Sequence, residues 1–259
     1  YQKMDFNHWI NEFSDSQEGK EQFSYWKESL KNTSIVYEKT ATKAEGKNVS
    51  LKVNVSTDVI KLSEITKFNV FSILLTAFHI WIAYHNKVKY TYCTTVLANR
   101  TKKEFKDVCG CLADLAPICL EMNNCTVVEL IGKTSRKIKE AVTNQEYPFI
   151  QIAANMNGSN HLAFEETAKY FIAFQNYKTR HLKLDEVDLK EIPIMKNGYK
   201  TDLSISLVQE NEVIRGILEY NDQLYSKEFI KEFIEKYNFI LSTMSENPTI
   251  TIPTILSMI

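Results

Sequence analysis

The longest apolar stretch of the chain runs from Phe68 to Tyr84, interrupted by Asn69, Ser72, Thr76 and His79. It falls short of the roughly 20 residues needed to cross a bilayer, so it reads as a buried helix that the rest of the chain must cover. With 259 residues, 44% of them apolar and 12% aromatic, there is material for a full core, as one large domain or two small ones. No membrane partner is expected.

Charge and glycine content narrow the functional classes. The 31 Lys and Arg against 32 Asp and Glu leave a net charge of -1, without the basic surplus that nucleic-acid binding requires. Only 7 glycines occur, and none has the spacing of a phosphate-cradling loop, so nucleotide-fingerprint enzymes are excluded. The five cysteines, Cys93, Cys109, Cys111, Cys119 and Cys125, form an odd set in a large chain. No basic-then-apolar leader precedes them, so reduced thiols and a cytoplasmic location are expected. The opening Tyr1-Gln2-Lys3-Met4-Asp5 reads as the start of a fragment.

Helical and extended segments alternate along the chain without a repeat or a linker. Phe23, Trp26 and Leu30 share one face of a surface helix over Ser16 to Leu30, with Ser14 and Gln17 as its expected capping box. Val49, Leu51, Val53 and Val55 alternate with polar residues as in a half-buried strand. Thr57 is the expected cap of a helix over Asp58 to Lys67, and Asn69 that of the apolar helix. Strands are expected at Lys89 to Ala98, Leu115 to Met122 and Tyr170 to Gln175. Thr126 and Glu129 form a capping box for a helix running to about Val142. Leu203 to Val208 and Val213 to Tyr220 make a hairpin, and Ser226 caps a helix that Asn247-Pro248 stops. The stretch Asp185 to Lys200 takes no assignment. A hairpin among alternating elements implies an α/β (α+β) mixed sheet with helices packed over it.

Spacing alone reveals no catalytic constellation. Cys109-Gly110-Cys111 lacks the two-to-four-residue separation of zinc thiolates, so no metal is expected, and small buried hydrophobes on a strand are the alternative. His79 and His85 lie six apart rather than at i, i+4 and read as core or edge histidines. No Ser or Cys sits in a nucleophile elbow.

Taken in order, however, several phrases resemble the condensation domains of nonribosomal peptide synthetases, over nearly the whole chain. Met4-Asp5-Phe6-Asn7-His8-Trp9 is similar to the family's Asp-(Phe/Tyr)-Ala-x-Trp, and Tyr25-Trp26-Lys27 with Leu30 to its Tyr-Trp-x-x-x-Leu. Leu74-Leu75-Thr76-Ala77-Phe78 resembles Leu-Leu-x-Ala-Phe, and Ala98-Asn99-Arg100 resembles Ala-x-Arg. Cys109 to Cys119 is similar, without gaps, to Gly-x-Phe-x-Asn-Thr-x-Pro-Leu-Arg, with Gly110, Pro117 and Ile118 matching. Asn144-Gln145-Glu146-Tyr147-Pro148-Phe149 resembles (His/Asn)-Gln-Asp-x-Pro-Phe, the most specific phrase. Leu218-Glu219-Tyr220-Asn221 with Leu224-Tyr225 resembles Leu-Glu-Tyr-Asn-x-x-Leu-Phe.

The family's catalytic phrase, His-His-x-x-x-Asp-Gly, occurs nowhere. The resemblance therefore implies residues 1–259 to be the C-terminal subdomain of a condensation domain of chloramphenicol-acetyltransferase-like fold, with the histidine-bearing half elsewhere. It implies no catalytic residue in this chain, which is expected to be inactive alone. Asp114, where the family has Asn, and Trp9 become substrate-tunnel candidates, and Gly110, Pro117, Gln145, Pro148, Phe149, Tyr220 and Asn221 structural positions. Implied partners are the N-terminal half, upstream and downstream carrier proteins and an adenylation domain. No cofactor is bound; the phosphopantetheine arms of the carriers arrive as substrates. The segment between Asn176 and Thr201 corresponds to the family's crossing latch. Lys, Asn and Ile richness points to a bacterial source. The alternatives are a non-catalytic recruiting module of this fold and another acyltransferase of the superfamily.

Overall fold

The computed structural model describes residues 3–32, 48–155, 169–175 and 201–259. Two helices, α1 (Lys3–Asp15) and α2 (Gln17–Leu30), precede strand β1 (Asn48–Val55), α3 (Asp58–Thr66), α4 (Val70–Asn86) and β2 (Tyr90–Leu97). Then follow β3 (Asp114–Glu121), α5 (Val127–Thr143), α6 (Phe149–Asn155), β4 (Tyr170–Gln175), β5 (Leu203–Glu210), β6 (Val213–Asn221), α7 (Lys227–Glu246) and α8 (Ile252–Met258). Six strands form one mixed sheet in the order β1-β6-β5-β4-β2-β3. β4 runs parallel to its neighbours β2 and β5, while the β1/β6, β5/β6 and β2/β3 pairs are antiparallel.

The apolar stretch forms α4 and is the centre of the core. Asn69 caps it by accepting from the Ser72 N–H at 2.7 Å, and Lys87 ends it in the left-handed region at φ 55°. Every residue from Ser72 to Ala83 is buried, because α4 packs against α3, α5, α7, α8 and β2 at once. Phe78 and Trp81 meet Tyr170 of β4 and Phe233 of α7 edge to face. Leu203, Ile205 and Leu207 of β5 with Ile214, Leu218 and Tyr220 of β6 belong to the same apolar cluster, so one face of the sheet is turned to this helical layer. The other face carries Lys52 and Asn54 of β1 and Arg215, Ile217 and Glu219 of β6, exposed or half-buried. Among the described residues no single helix is long and apolar enough to cross a membrane.

Two buried polar side chains of α4, Thr76 and His79, are satisfied by geometry that periodicity does not show. The Thr76 hydroxyl lies 2.7 Å from the Ser72 carbonyl and 2.8 Å from the Thr134 hydroxyl of α5. His79 Nδ1 lies 2.8 Å from the Thr91 hydroxyl, which donates to the Leu120 carbonyl at 3.2 Å. With that hydroxyl proton committed, Nδ1 carries the ring proton, leaving Nε2 as acceptor for the Cys93 thiol at 3.4 Å. Burial lowers the His79 pKa to about 3. His79 is thus a core residue, as its position implied, and His85 stacks on Trp81 at 5.1 Å.

The hairpin turns at Asn211-Glu212, where Asn211 takes φ 57°, as a tight two-residue connection demands. Gly216 allows β5 and β6 to approach: a Cβ there would sit 2.1 Å from the Ser206 carbonyl oxygen.

Local boundaries differ from the sequence reading in three places. The helix α1 was not expected; because it runs to Asp15, Ser14 lies inside it and donates to the Ile10 carbonyl, and the cap of α2 is Ser16, accepting from the Gly19 N–H at 3.0 Å. Thr57 precedes α3 but its side chain caps nothing; the Ser56 hydroxyl takes the Asp58 N–H instead. Cys109 and Cys111 are exposed in the loop before β3, not buried on a strand, whereas Cys93 and Cys119 are on strands. The expected crossing segment between Asn176 and Thr201, the unassigned stretch Asp185 to Lys200, His161 and His181 lie outside the described residues.

His79 makes stability depend on pH. Its folded pKa is depressed below the ordinary 6.5, so the neutral form contributes full stability above pH 6.5, and stability falls as the unfolded chain, but not the core, takes up a proton. The expected slope between pH 6 and 5 is about 1.4 kcal/mol per pH unit. Urea unfolding across that window checks it: His79→Gln should be less stable at pH 7 and lose most of the slope, and an unchanged slope in the variant would assign it to other groups.

Candidate functional site

Three of the phrases singled out from the sequence, Ala98-Asn99-Arg100, Cys109 to Cys119 and Asn144 to Phe149, converge where the loop 98–113, the connection 144–148 and the start of β3 meet. Asn99 adopts φ 52°, and its buried N–H is accepted by Gln145 Oε1 at 2.9 Å. Gln145 Nε2 in turn donates to the Val142 carbonyl at 2.8 Å, so this one amide closes α5 and holds the loop after β2. Arg100, the next residue, gathers the rest of that loop. Its guanidinium donates to the carbonyls of Phe105, Lys106, Val108 and Gly110 at 2.9, 3.2, 2.8 and 2.6 Å. A planar fork of five N–H donors suits this task, and a lysine could not match it.

Asp114 stands at the first position of β3, and both carboxylate oxygens are engaged. Oδ1 accepts from the Leu115 N–H and Oδ2 from the Phe149 N–H, each at 2.8 Å. The carboxylate thus ties the strand to the first turn of α6, where the helix dipole favours an anion. The preceding Pro148 carbonyl accepts from Gln151 and Ile152 at 3.0 Å, while Phe149 is buried. Pro117 sits in β3, an edge strand, where a missing N–H leaves no gap inside the sheet.

A second set of contacts was not singled out from the sequence. Glu146 is buried, and its carboxylate accepts from Gln22 Nε2 at 2.9 Å and the Thr101 hydroxyl at 2.6 Å. Gln22 Oε1 accepts from the Tyr147 N–H at 3.0 Å, and Trp26 Nε1 donates to the Asn144 carbonyl at 2.8 Å. These bonds fasten α2 to the 144–148 connection. The sequence signal was present: Gln22 falls on the stripe of Gly19, Trp26 and Leu30, and a polar residue on a buried stripe needs a partner.

Trp9 lies on α1, half-buried, with ring centroids 5.0 Å from Phe13 and from Phe105, and Lys102 stands over its face at 5.2 Å. Phe6, Phe105, Val108 and Leu112 complete this small cluster, which docks the 98–113 loop on α1. Gly110 is at the exposed tip, at φ 135°. Tyr220 and Asn221 are not part of this grouping. Three strands separate β6 from β3, about 19 Å across the sheet at ordinary strand spacing. There Asn221 Oδ1 accepts from Gln223 and its carbonyl from Leu224 and Tyr225, turning the chain into α7.

A groove of about 460 Å³ beside β3 is lined by Tyr25, Tyr90, Cys119, Glu121, Lys137 and Glu140. Burial raises the Tyr25 hydroxyl and the Cys119 thiol, so both are neutral, and Glu121 and Glu140 are paired with Lys89 at 2.7 Å and Lys137 at 3.0 Å. Of the described histidines, His8 is exposed beside Glu12, His79 belongs to the core, and His85 is exposed at its edge, against the rings of Trp81 and Phe229. Among the described residues no three His, Cys, Asp or Glu side chains converge to hold a metal ion. What the described residues supply here is a wall of loops held by bonds from side chains to backbone groups.

A mixed sheet with helices packed over one face, carrying these loops in this order, is the acyltransferase-like fold of chloramphenicol-acetyltransferase type. The condensation-domain family model matches residues 2–258, and the chain belongs to that family. Tyrocidine synthase 3 of Brevibacillus parabrevis is 21% identical over 261 residues, covering 96% of this chain and 4% of that protein. Bacitracin synthase 1 of Bacillus licheniformis is 20% identical over 262 residues, covering 97% of this chain and 5% of that one. The chain therefore spans only a small fraction of the length of these curated relatives. Among solved structures, the complex of the X-domain and OxyB from teicoplanin biosynthesis superposes with a TM-score of 0.81 at 14% identity, covering 98% of this chain and 60% of that one. The condensation domain of the Monacolin K polyketide synthase MokA gives 0.78 at 14% identity, over 96% and 62%. At such identities the likeness concerns the fold.

Removing the Asp114 carboxylate leaves two backbone donors without their acceptor. Asp114→Ala should cost about 1–3 kcal/mol and lower the melting temperature by several degrees, with Asp114→Asn, which keeps one acceptor oxygen, losing less. Thermal unfolding followed by circular dichroism measures both, and equal melting points for all three proteins would show that these bonds contribute nothing.

Proposed function

We propose that this chain is the C-terminal half of a condensation domain that forms amide bonds between carrier-bound substrates in nonribosomal peptide synthesis. The observation that carries the reading is the family match across residues 2–258 in a sequence without His-His-x-x-x-Asp-Gly, joined to the fact that the chain spans only about 60% of solved relatives. The histidine phrase then belongs to an N-terminal half outside this sequence, and the reaction takes place in a tunnel between the two. The amine on the downstream carrier attacks the thioester carbonyl of the upstream one. A C–N bond forms, the phosphopantetheine thiol leaves, and the histidine of the other half positions the amine or takes its proton. Carrier proteins and a neighbouring adenylation domain, in the cytoplasm, are the partners in this reading.

In that reaction the residues of this chain position rather than react. Asp114, tied to both β3 and α6, fixes the wall on which the family's tunnel asparagine stands, and Trp9 fixes the adjoining loop. A second reading, a module of this fold that docks a partner protein without catalysis, is favoured by the TM-score of 0.81 to a structure described as a complex of an X-domain and OxyB.

Loaded carrier proteins distinguish the two. This chain alone should form no amide product, whereas the chain joined to a histidine-bearing N-terminal half should, and His→Ala in the added phrase should abolish it. Turnover by the isolated chain that is lost on changing His8 or His85 would overturn the first reading. A complete domain that binds a partner yet never condenses would favour the second.

A further inference from the structure

Cys109-Gly110-Cys111 takes no part in the function proposed above. Both thiols are free and exposed, whereas burial raises the thiols of Cys93, Cys119 and Cys125 and makes them poor nucleophiles. The chain bends sharply at Cys109 and Gly110, and Gly110 takes a φ of 135° that residues with a side chain rarely adopt. A bend of this kind shortens the i to i+2 separation from the about 7 Å of extended chain toward the about 4.4–6.8 Å between Cα atoms that a disulfide tolerates.

The bend is held rather than loose. Arg100 donates to the Val108 carbonyl just before the first cysteine and to the Gly110 carbonyl between the two. Val108 and Leu112, the residues flanking the triplet, are both buried in the cluster with Phe6 and Phe105. Pinned on both sides, the two thiols have little freedom to separate, which raises their effective concentration toward each other.

We propose that Cys109 and Cys111 are a reversible dithiol–disulfide site, oxidised by low-molecular-weight disulfides of the glutathione class. The thiolate of one cysteine attacks a sulfur of the small disulfide, forming a protein mixed disulfide and releasing the first small thiolate. The second protein thiolate attacks the protein sulfur of that mixed disulfide, forming the Cys109–Cys111 bond and expelling the second small thiolate. Two protein thiols are oxidised, one small disulfide is reduced to two thiols, and the two protons from the protein end on those thiols. The guanidinium of Arg100, fixed at the Gly110 carbonyl, attracts an anionic small disulfide to the site. Because the bond is exposed, reduced small thiols can reopen it.

The test is to incubate the folded chain with glutathione disulfide, quench in acid, alkylate the remaining thiols and read intact and peptide masses. The peptide holding residues 109–111 should lose the mass of two hydrogens and escape alkylation, and dithiothreitol should reverse this. Cys109→Ser and Cys111→Ser, both at exposed positions, should each stop at a single glutathionyl adduct. Two glutathionyl groups on the wild-type peptide, a bond from this peptide to Cys93, Cys119 or Cys125, or no reaction at all would overturn the proposal.

Discussion

The fold depends on burying α4 completely. Ile73, Leu74, Leu75, Phe78, Ile80, Trp81 and Ile82 are all at or near zero exposure, and each such side chain contributes about 1.5–3 kcal/mol relative to remaining in water. A helix that is apolar all round cannot rest on a sheet alone, because the sheet covers one side. Hence α3, α5, α7 and α8 close around it, and β2, which carries Thr91 and Cys93 inside the sheet, must lie where His79 can find both. The buried imidazole is tolerated because each ring nitrogen has a partner; without them it would cost what an unpaired polar group costs in a core.

Around that core, the loops are held by side chains that satisfy backbone groups. Arg100 serves four carbonyls, Gln145 the N–H of a left-handed residue, Asp114 two N–H groups and Gln22 a third. Arg100 closes its own loop, while Gln145, Asp114 and Gln22 join segments far apart in sequence, so the 98–113 loop, the 144–148 connection and α6 form one bonded wall.

Much of the architecture was legible from local pattern. Alternation marked β1, apolar β-rich runs marked β2 and β4, and Asn69, Thr126 and Ser226 each cap the helix they precede through the expected hydrogen bond. The candidate site was legible in part. Asp114, Gln145, Pro148 and Phe149 come together, but Tyr220 and Asn221 lie across the sheet; the stripe on α2 shows that Gln22 needs a partner, yet nothing local names Glu146, 124 residues away, as that partner. The helix α1 carries Phe6, Trp9, Ile10 and Phe13 at helical spacing, yet where α1 ends and α2 begins is decided by Ser16 reaching the Gly19 N–H.

Hydrophobic period and capping chemistry act within a few residues, so the sequence by itself determined the six strands, the helices α2 to α5 and α7, that α4 is interior, and that no histidine pair of the family's kind is present. The order of the strands, the parallel placement of β4 between β2 and β5, the exposure of Cys109 and Cys111 and the engagement of both Asp114 oxygens belong to the tertiary structure. Each depends on which distant backbone donor or apolar face arrives beside a residue, and that follows from packing the whole chain around α4 rather than from any local propensity.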